Sequence, residues 1–402
     1  MSNKKGFGTL VSADDALDTI LSKLRPVTGT ELCAVQDADL RVLAEDLKST
    51  INVPAFDRAA MDGFAVRSED LEEPGMLKIA GKALAGNGYK GTVKKGECIE
   101  IATGAPMPKG ADAVVMIENV QVVGQAVSFK SPVAKGEYVG LKAEDIGKGD
   151  VVLKRGTVMG PGQIAAVAII GKAKIKVVSR PKVLIFTTGD EVVTPGKQLK
   201  QGQVYDCNSY AMMTIARRAG AEVTYRPNVK DTLPSLTKAL SEAAAQYDLV
   251  VFSGGTSVGA RDYAREAVAE LGRVLVHGVA VKPGKPVLFG MIKKCGVFGM
   301  PGYPTSCLLT AKLFLAPAIR WLAHNRFHER RKKIVTLGHE VKQDKTKQLL
   351  LPVSVDDHDV AWSTFKGSGA ITSLSESVGY IEIDAGDGVV AKGAEATLRV
   401  IS

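Results

Sequence analysis

The sequence lacks the residue patterns of disulfide-linked and zinc-binding proteins. Its 402 residues include only five cysteines, which is an odd number, and none of them lies in a CxxC arrangement. The five histidines are equally dispersed. Disulfide frameworks use paired cysteines, and zinc sites use paired ligands at short spacing. We therefore expect a reducing, cytoplasmic location without a disulfide framework or a zinc centre.

The sequence also has no long hydrophobic run. A membrane-spanning helix needs about 20 consecutive apolar residues, and no stretch of this chain approaches that length. The first residues, MSNKKGFGTLVSADDA, contain no apolar core of a signal peptide. We therefore expect no membrane partner.

Aromatic residues are scarce, at 5%, whereas basic residues exceed acidic ones by 52 to 43. A net charge of +9 favours anionic partners such as phosphates, nucleotides and oxyanions. Nucleic-acid binding would require a basic stripe interleaved with aromatic residues. The only dense basic run, residues 326–333, lies where a solvated linker is expected. Small anionic ligands are therefore favoured over nucleic acid.

A chain of this length is too long for one core, and the hydrophobic pattern divides it into α/β and β parts. From residue 180, strand-like and helix-like runs alternate, which predicts a parallel sheet covered on both faces. We expect the amphipathic helix at residues 13–25 to pack with residues 141–178. The predicted domains are an N-terminal mixed domain (1–50 and 141–178), an inserted β-rich domain (51–140), an α/β domain (179–327) and a small β barrel or sandwich without a convincing helix (328–402).

Three predicted strands of the α/β domain run into unusual loops, at residues 187–191, 253–257 and 301–306. Ligands of open α/β sheets bind beyond the carboxyl ends of the strands. Glycine lets backbone N–H groups approach an anion, and helix N-termini add further donors. A single loop of this kind is weak evidence, because glycines after a strand also form simple turns. Three of them, followed by Lys282 and Lys285, predict an anion-binding pocket.

Carboxylates lie near this predicted pocket. Each of them also has a structural interpretation that is about as good as the functional one. Asp262 could be a helix N-cap, and Glu191 and Asp231 could lie in the first turn of a helix and complement its dipole. Together they would repel an anion unless a divalent cation lay between them. Mg²⁺ prefers carboxylate oxygens and often bridges to phosphates. The hypothesis is a pocket for a phosphorylated ligand, a metal ion and a second, lysine-bound anion.

Seven motifs in order resemble one family over nearly the whole chain. That family is the molybdopterin molybdenumtransferases, which includes MoeA and the gephyrin E domain. The motifs are PAFDRAAMDGFAV (54–66), TGAPMPKGADAVVMIE (103–118), AEDIGKGDVVLKRGTVMGPGQIAAVAIIG (143–171), VLIFTTGDEV (183–192), SGGTSVGARDY (253–263), VKPGKPVLFG (281–290) and GMPGYPTS (299–306).

The resemblance implies insertion of molybdate or tungstate into adenylylated molybdopterin, coupled to Mg²⁺-dependent release of AMP. The implied catalytic acids are Asp57, Asp145, Glu191, Asp231 and Asp262, with Glu191 and Asp262 as metal ligands. The implied substrate-binding residues are Thr103, Gly254, Gly255, Ser257, Lys282, Lys285, Pro286, Ser306 and Ser368. Asp62, in contrast, is interpreted as structural, in a turn where Gly63 supplies a positive φ. The resemblance further implies a homodimer with sites shared between subunits, and partners that include the molybdopterin adenylyltransferase and recipient molybdoenzymes.

The sequence departs from the family pattern at four places. Ala59 and Ala143 replace a serine and a glycine, and Tyr303 replaces an asparagine near the pocket. No arginine lies between Arg331 and Arg399, where the family places one on the oxyanion. The lysines that could supply its charge are Lys345, Lys347 and Lys366, but lysine cannot reproduce a bidentate fork.

These departures keep a second interpretation open, a carrier or scaffold of the same fold with weak or no metal insertion. A third, adenylylation of molybdopterin, is disfavoured by the additional domains before residue 180 and after residue 330.

Overall fold

The structure, a computed structural model, describes residues 9–255, 262–325 and 332–401. The chain forms two compact units. The first unit contains Met1–Glu31, Leu40–Val42 and Val177–Ser402, and the second contains Leu32–Asp39 and Leu43–Lys176. The division into four domains stays a prediction. Among the helices within the described ranges, none is long and apolar enough to cross a membrane.

The first unit is built around a six-stranded sheet. Its strands, in spatial order, are Glu222–Tyr225, Lys182–Thr187, Leu249–Ser253, Cys295–Met300, Leu288–Ile292 and Arg273–His277. The first four are parallel, but the next two pair antiparallel to their neighbours. The predicted parallel sheet is therefore extended at one edge by two strands that the sequence did not show to be antiparallel. Only Lys293 and Lys294 connect the fourth and fifth strands, and a two-residue link can join only antiparallel strands.

Both faces of this sheet are covered, as the sequence predicts. Val183 and Ile185 point into one apolar cluster, whereas Leu184 and Phe186 point into another. Strand Leu249–Ser253 is buried along its whole length, which is typical of a central strand. Helices Ala13–Lys23, Asn208–Arg218, Pro304–Thr310 and Ala316–Leu322 contribute to the first cluster, and helices Leu233–Ala243 and Tyr263–Leu271 to the second. A π-helical turn, Ala311–Leu315, joins Pro304–Thr310 to Ala316–Leu322.

The N-terminal helix Ala13–Lys23 packs on the α/β core and not, as expected, with residues 141–178. Ala16, Ile20 and Leu24 are buried in the first cluster. Ser12 caps this helix by accepting a hydrogen bond from the Asp15 N–H at 3.1 Å. The apolar spacing of four fits any apolar surface, so periodicity alone could not choose between the two neighbours.

The C-terminal part of the first unit is a closed five-stranded barrel. Its strands, in order around the ring, are Gln348–Val355, Val360–Ser363, Lys332–Leu337, Glu395–Val400 and Gly379–Ile383. The first and last also pair, which closes the ring. A four-residue helix, Thr372–Ser375, was not expected. The short strand Val281–Lys282 pairs in parallel with Gln348 and Leu349. The segment that carries Lys282 and Lys285, residues 282–286, which we call the lysine loop, is therefore attached to the barrel.

The second unit contains a six-stranded β sheet, which confirms the β-rich character of residues 51–140. Its strands, in spatial order, are Ala113–Met116, Gly63–Val66, Glu97–Ile101, Gly75–Ala83, Ala126–Phe129 and Val120–Val123. The helix Pro161–Ile169 begins with proline at its first position, where a missing N–H has no cost. Two short ladders also lie in this unit: Leu47–Lys48 pairs with Val151–Leu153, and Arg58–Ala59 pairs with Val139–Gly140.

The described ranges contain further short elements. They are strands Thr30–Ala34, Lys174–Val178, Val192–Val193, Val204–Tyr205, Val341–Lys342 and Val389–Val390, and the 3₁₀ segments Val35–Asp37, Ser68–Leu71 and Ile117–Asn119.

Gly63 is required by a close strand approach and not by a turn. It begins strand Gly63–Val66 and is absent from the positive-φ residues of the described ranges. A Cβ added to Gly63 would lie only 1.9 Å from the carbonyl oxygen of Val115. The positive φ predicted for Gly63 is therefore wrong, because the constraint comes from the neighbouring strand.

We expect Gly63→Ala to destabilise the second unit by about 2–3 kcal/mol, because the two strands must separate to admit the methyl group. The matched control is Gly162→Ala, where an added Cβ meets nothing within 4 Å and helix propensity favours alanine. Thermal unfolding of both variants checks this. Equal melting temperatures for the two variants would contradict it.

Candidate functional site

Two glycines follow the central strand of the first unit at its carboxyl end. A Cβ on Gly254, which has φ +102°, would lie 2.2 Å from the Thr188 carbonyl oxygen. A Cβ on Gly255, which has φ +64°, would lie 3.2 Å from Asp231 Oδ1. The backbone therefore passes close to the neighbouring strand end, where only glycine fits both the angle and the space.

Asn208 ties the ends of two neighbouring strands together. Its Nδ2 donates to Ser253 Oγ and to the Gly302 carbonyl, each at 2.8 Å. Ser253 Oγ in turn donates to the Pro301 carbonyl at 2.9 Å. Both side chains are buried. This network fixes the glycine pair relative to the loop that starts helix Pro304–Thr310.

Sequence analysis did not identify this role of Asn208. The helix begins at Asn208, with Cys207 at the cap position. The carboxylate of Asp206 accepts from the Ser209 N–H at 2.9 Å and from Thr187 Oγ1 at 3.1 Å. The acidic residue two positions before a helix was the available signal for Asp206. No comparable signal marks Asn208.

Asp231 contacts Thr188 and Glu191 contacts Gly189, at the end of the same strand. Thr188 Oγ1 donates to Asp231 Oδ1 at 3.2 Å. The Glu191 carboxylate lies 2.8 Å from the position of a Cβ on Gly189, and Glu191 is exposed. These two carboxylates and Gly255 therefore form one corner of the sheet edge, which we call the acidic corner.

Asp262 occupies a different part of the same edge. Its Oδ1 accepts from the Arg265 N–H at 3.1 Å, so it is the N-cap of helix Tyr263–Leu271. Its Oδ2 lies 2.8 Å from His277 Nε2, at the end of the outermost strand. Sequence reasoning did not identify His277.

The structure does not bring Glu191 and Asp262 together. The strands that precede Glu191 and end at His277 are four ladder steps apart, which at strand spacing is about 19 Å. In the ranges that the structure describes, no group of three or more His, Cys, Asp or Glu residues is arranged to hold a metal ion.

The lysine loop lies where the sheet edge meets the barrel. A Cβ on Gly284 would lie 2.4 Å from Thr310 Cγ2, so the loop packs closely on helix Pro304–Thr310. The Lys285 carbonyl accepts from the N–H of Val279 at 2.9 Å. Lys285 and Pro286 are half-buried, and Lys282 is exposed. Lys282 Nζ lies 3.1 Å from Asp344 Oδ2 on the barrel.

The pKa of Asp344 is lowered to about 2, first by the Thr346 N–H and then by the hydrogen bond from Lys282. A depressed pKa means that the carboxylate stabilises the fold above its unfolded pKa, near 4. This stabilisation is lost as the pH falls towards 2. Asp344 is therefore ionised throughout the neutral range.

Ser306 and Ser368 are brought together through Thr305. The Thr305 N–H donates to the Ser368 carbonyl at 3.0 Å, and Thr305 Oγ1 donates to the Ala370 carbonyl at 2.9 Å. Ser306 is buried in the same helix, and its carbonyl lies 3.7 Å from a Cβ on Gly284. Three segments therefore converge: the lysine loop, the start of helix Pro304–Thr310 and the barrel loop that contains Ser368. Tyr303, 68% exposed, faces Gly369 of that barrel loop.

The three candidate lysines of the barrel have different environments. Lys345 and Lys366 form exposed ion pairs with Asp387 and Glu376. Lys347 is only 25% exposed and lies 3.6 Å from Asp344 Oδ1, beside Lys282. Of these three, only Lys347 has an ion pair that links it to the lysine loop.

The second unit holds the other predicted site residues. Asp57 Oδ1 accepts from the Lys142 N–H at 2.8 Å, and the Asp145 N–H donates to the Val53 carbonyl at 3.1 Å. The Thr103 N–H donates to Asp62 Oδ1 at 2.7 Å, and this bond lowers the pKa of Asp62. Asp62 thus orients Thr103, in agreement with a structural role.

Two of the sequence predictions lie outside the described residues. Ser257 falls within residues 256–261, and most of the basic run falls within residues 326–331.

Three family models match successive parts of the chain. Residues 11–171 match the MoeA N-terminal region (domain I and II), residues 184–321 match a probable molybdopterin binding domain, and residues 335–400 match the MoeA C-terminal region (domain IV).

Curated relatives and solved structures agree with these matches. The molybdopterin molybdenumtransferase of Haemophilus influenzae is 37% identical over 77% of this chain and 77% of its own length. That of Nostoc sp. is 36% identical over 75% of this chain and 72% of its own length. The molybdopterin biosynthesis moeA protein of Pyrococcus horikoshii OT3 superposes with a TM-score of 0.84 at 30% identity, covering 97% of this chain and 100% of that one. The multidomain α/β and β architecture and the ordered motifs are thereby accounted for, and the chain belongs to the MoeA family of molybdopterin molybdenumtransferases.

Proposed function

We propose that the chain is a molybdopterin molybdenumtransferase of molybdenum cofactor biosynthesis. It inserts molybdate, or tungstate, into adenylylated molybdopterin and releases AMP in a reaction that depends on Mg²⁺. The alternative is a carrier or scaffold that binds the pterin without efficient insertion.

The observation that carries this proposal is the convergence of two kinds of anion site on one sheet edge. The acidic corner lies beside the glycine pair, where backbone can approach a pyrophosphate. The lysine loop lies beside Ser306 and the Ser368 loop, a combination suited to a tetrahedral dianion. The proposed reaction requires both sites, because one substrate carries a pyrophosphate and the other is an oxyanion.

The residues of the lysine loop bind and orient the oxyanion. Lys282 and Lys285 provide ammonium groups, and Ser306 and Ser368 provide hydroxyl donors. Gly284 allows the loop to approach helix Pro304–Thr310 closely, so these donors converge.

Glu191 and Asp231 are the residues that would hold Mg²⁺ in this conformation. Both are oxygen donors at the acidic corner, next to the position we assign to the pyrophosphate. Mg²⁺ is commonly held by one or two carboxylates together with substrate phosphates, so a two-carboxylate corner fits it. A bound divalent cation polarises a phosphoryl group and offsets charge on the leaving AMP.

Asp262 and the acids of the second unit have proposed roles as well. Asp262 is oriented by His277, and Asp57, Thr103 and Asp145 of the second unit keep the roles that family membership implies. We further propose that the chain forms a cytoplasmic homodimer. A molybdopterin adenylyltransferase would supply its substrate, and molybdoenzymes would receive its product. This part of the proposal depends on family membership alone.

AMP release from adenylylated molybdopterin, with molybdate and Mg²⁺, tests the proposed reaction. We expect Asp231→Asn to lower the rate of AMP release at least tenfold and to raise the Mg²⁺ concentration required. The reason is that a negatively charged ligand of the metal ion is replaced by a neutral one. The amide oxygen of asparagine can still accept the Thr188 hydrogen bond, so the fold is kept.

The matched control for this experiment is Glu242→Gln, which removes a carboxylate from an exposed pair with Arg226 in the same domain. This variant should keep the parent rate. Absence of AMP release by the parent protein would eliminate the transferase and leave the carrier.

Gly254→Ala should weaken pterin binding at least tenfold, because its Cβ would displace the strand-end backbone at Thr188. Gly196→Ala is the matched control. Gly196 also has a positive φ, of +93°, but nothing lies within 4 Å of its Cβ position. It should therefore lose only about 1 kcal/mol of stability. Fluorescence titration with molybdopterin distinguishes the two variants, and equal affinities would contradict the assignment.

A further inference from the structure

A carboxylate lies among the ammonium groups of the lysine loop. Asp344 Oδ2 is 3.1 Å from Lys282 Nζ, and Asp344 Oδ1 is 3.6 Å from Lys347 Nζ. Neither the sequence motifs nor the family matches assign a role to Asp344. A site built only to attract an oxyanion would not place a negative charge against its own lysine.

The Asp344 side chain is held in place by a backbone N–H two residues further along the chain. Its Oδ1 accepts from the Thr346 N–H at 3.1 Å, and its carbonyl accepts from the Gly386 N–H at 2.9 Å. The side chain is 17% exposed, whereas that of Lys282 is 58% exposed. The carboxylate is therefore fixed, and the lysine is the partner that can move.

The backbone of Lys282 is fixed by the barrel as well. Strand Val281–Lys282 pairs with Gln348 and Leu349, and the Gln348 N–H donates to the Ala280 carbonyl at 2.9 Å. Lys282 can reach Asp344 or a ligand by changing its side-chain rotamers alone. Lys347 directly precedes Gln348, so its side chain can likewise reach either Asp344 or a ligand.

We propose that Asp344 is a built-in counterion of the oxyanion site, which competes with incoming anions for Lys282 and Lys347 and so determines which anions bind. The inference rests on the proposed function, because it assumes that the lysine loop receives an oxyanion.

The physical consequence is discrimination by charge. A tetrahedral dianion attracts two ammonium groups about twice as strongly as a monoanion of equal size does, so it competes better with one carboxylate. A monoanion gains little over the Asp344 pairing that it must weaken. The carboxylate therefore lowers the affinity for both kinds of anion, and only the dianion keeps enough attraction to bind.

The exposed pair of Lys345 with Asp387 offers a matched comparison. It lies in the same barrel and joins the same residue types at 3.5 Å, but both side chains are about 80% exposed. An ion pair of that kind contributes little in water. Neutralising Asp387 changes the net charge of the chain by the same amount as neutralising Asp344.

The test is calorimetric titration of the full chain with molybdate and with perchlorate, a tetrahedral monoanion. Asp344→Asn should lower the Kd for molybdate about 3- to 10-fold and lower that for perchlorate by a smaller factor, because a carboxylate repels a dianion more strongly than a monoanion. The amide oxygen still accepts from Thr346, so the local turn is kept. Asp387→Asn should stay within about twofold of the parent, and Lys282→Ala should raise the Kd for molybdate.

The inference is overturned if Asp344→Asn binds molybdate as the parent does or more weakly, or if the parent binds no molybdate. AMP release, measured in parallel, separates this result from the proposed function. If the parent protein binds molybdate but releases no AMP, the transferase proposal is refuted. The titrations then still test the counterion role of Asp344. A parent that releases AMP, with an Asp344→Asn variant of unchanged affinity, refutes only the counterion.

Discussion

Parallel pairing of three strands is the constraint on which the first unit's site depends. Thr187 pairs with Ser253, and Ser253 pairs with Met300, so three chain segments leave the sheet at one edge. Asn208 then joins two of these ends through Ser253 and Gly302. A shift of one residue in either ladder would turn Ser253 away from Asn208 and separate the glycine pair from the acidic corner.

The barrel contributes to the site because it is joined to the lysine loop by backbone as well as by charge. The ladder between Val281–Lys282 and Gln348–Leu349 places Asp344 and Lys347 beside Lys282. The contact of Thr305 with the Ser368 loop provides a second attachment. Leu350 and Tyr380 of the barrel are buried in the apolar cluster of the α/β core. Packing and polar contacts therefore hold together the residues of the α/β core and of the barrel that we propose to bind the oxyanion.

Sequence reasoning succeeded where function or burial imposes a local pattern. The buried strands, the glycines at strand ends and the KPGK loop could be identified because each has a physical requirement within a few residues. It did not show that strand Leu288–Ile292 runs antiparallel to its neighbours, and it was wrong about the partner of helix Ala13–Lys23, since both depend on tertiary choices. Asn208, His277 and Asp344 were missed for the same reason. Their partners Gly302, Asp262 and Lys282 are remote in the sequence or lack a motif linking them.

The net positive charge of the chain does not by itself explain the anion binding that we propose at this edge. Lys282 and Lys347 already face a carboxylate, and the glycine pair lies beside Asp231. A weakly charged anion would therefore gain little from either place. A ligand must instead carry enough charge to compete for the lysines, or arrive with a cation that offsets the carboxylates. A doubly charged oxyanion meets the first condition and a metal-bound pyrophosphate meets the second, which is why local pairing, more than overall charge, favours these two ligands.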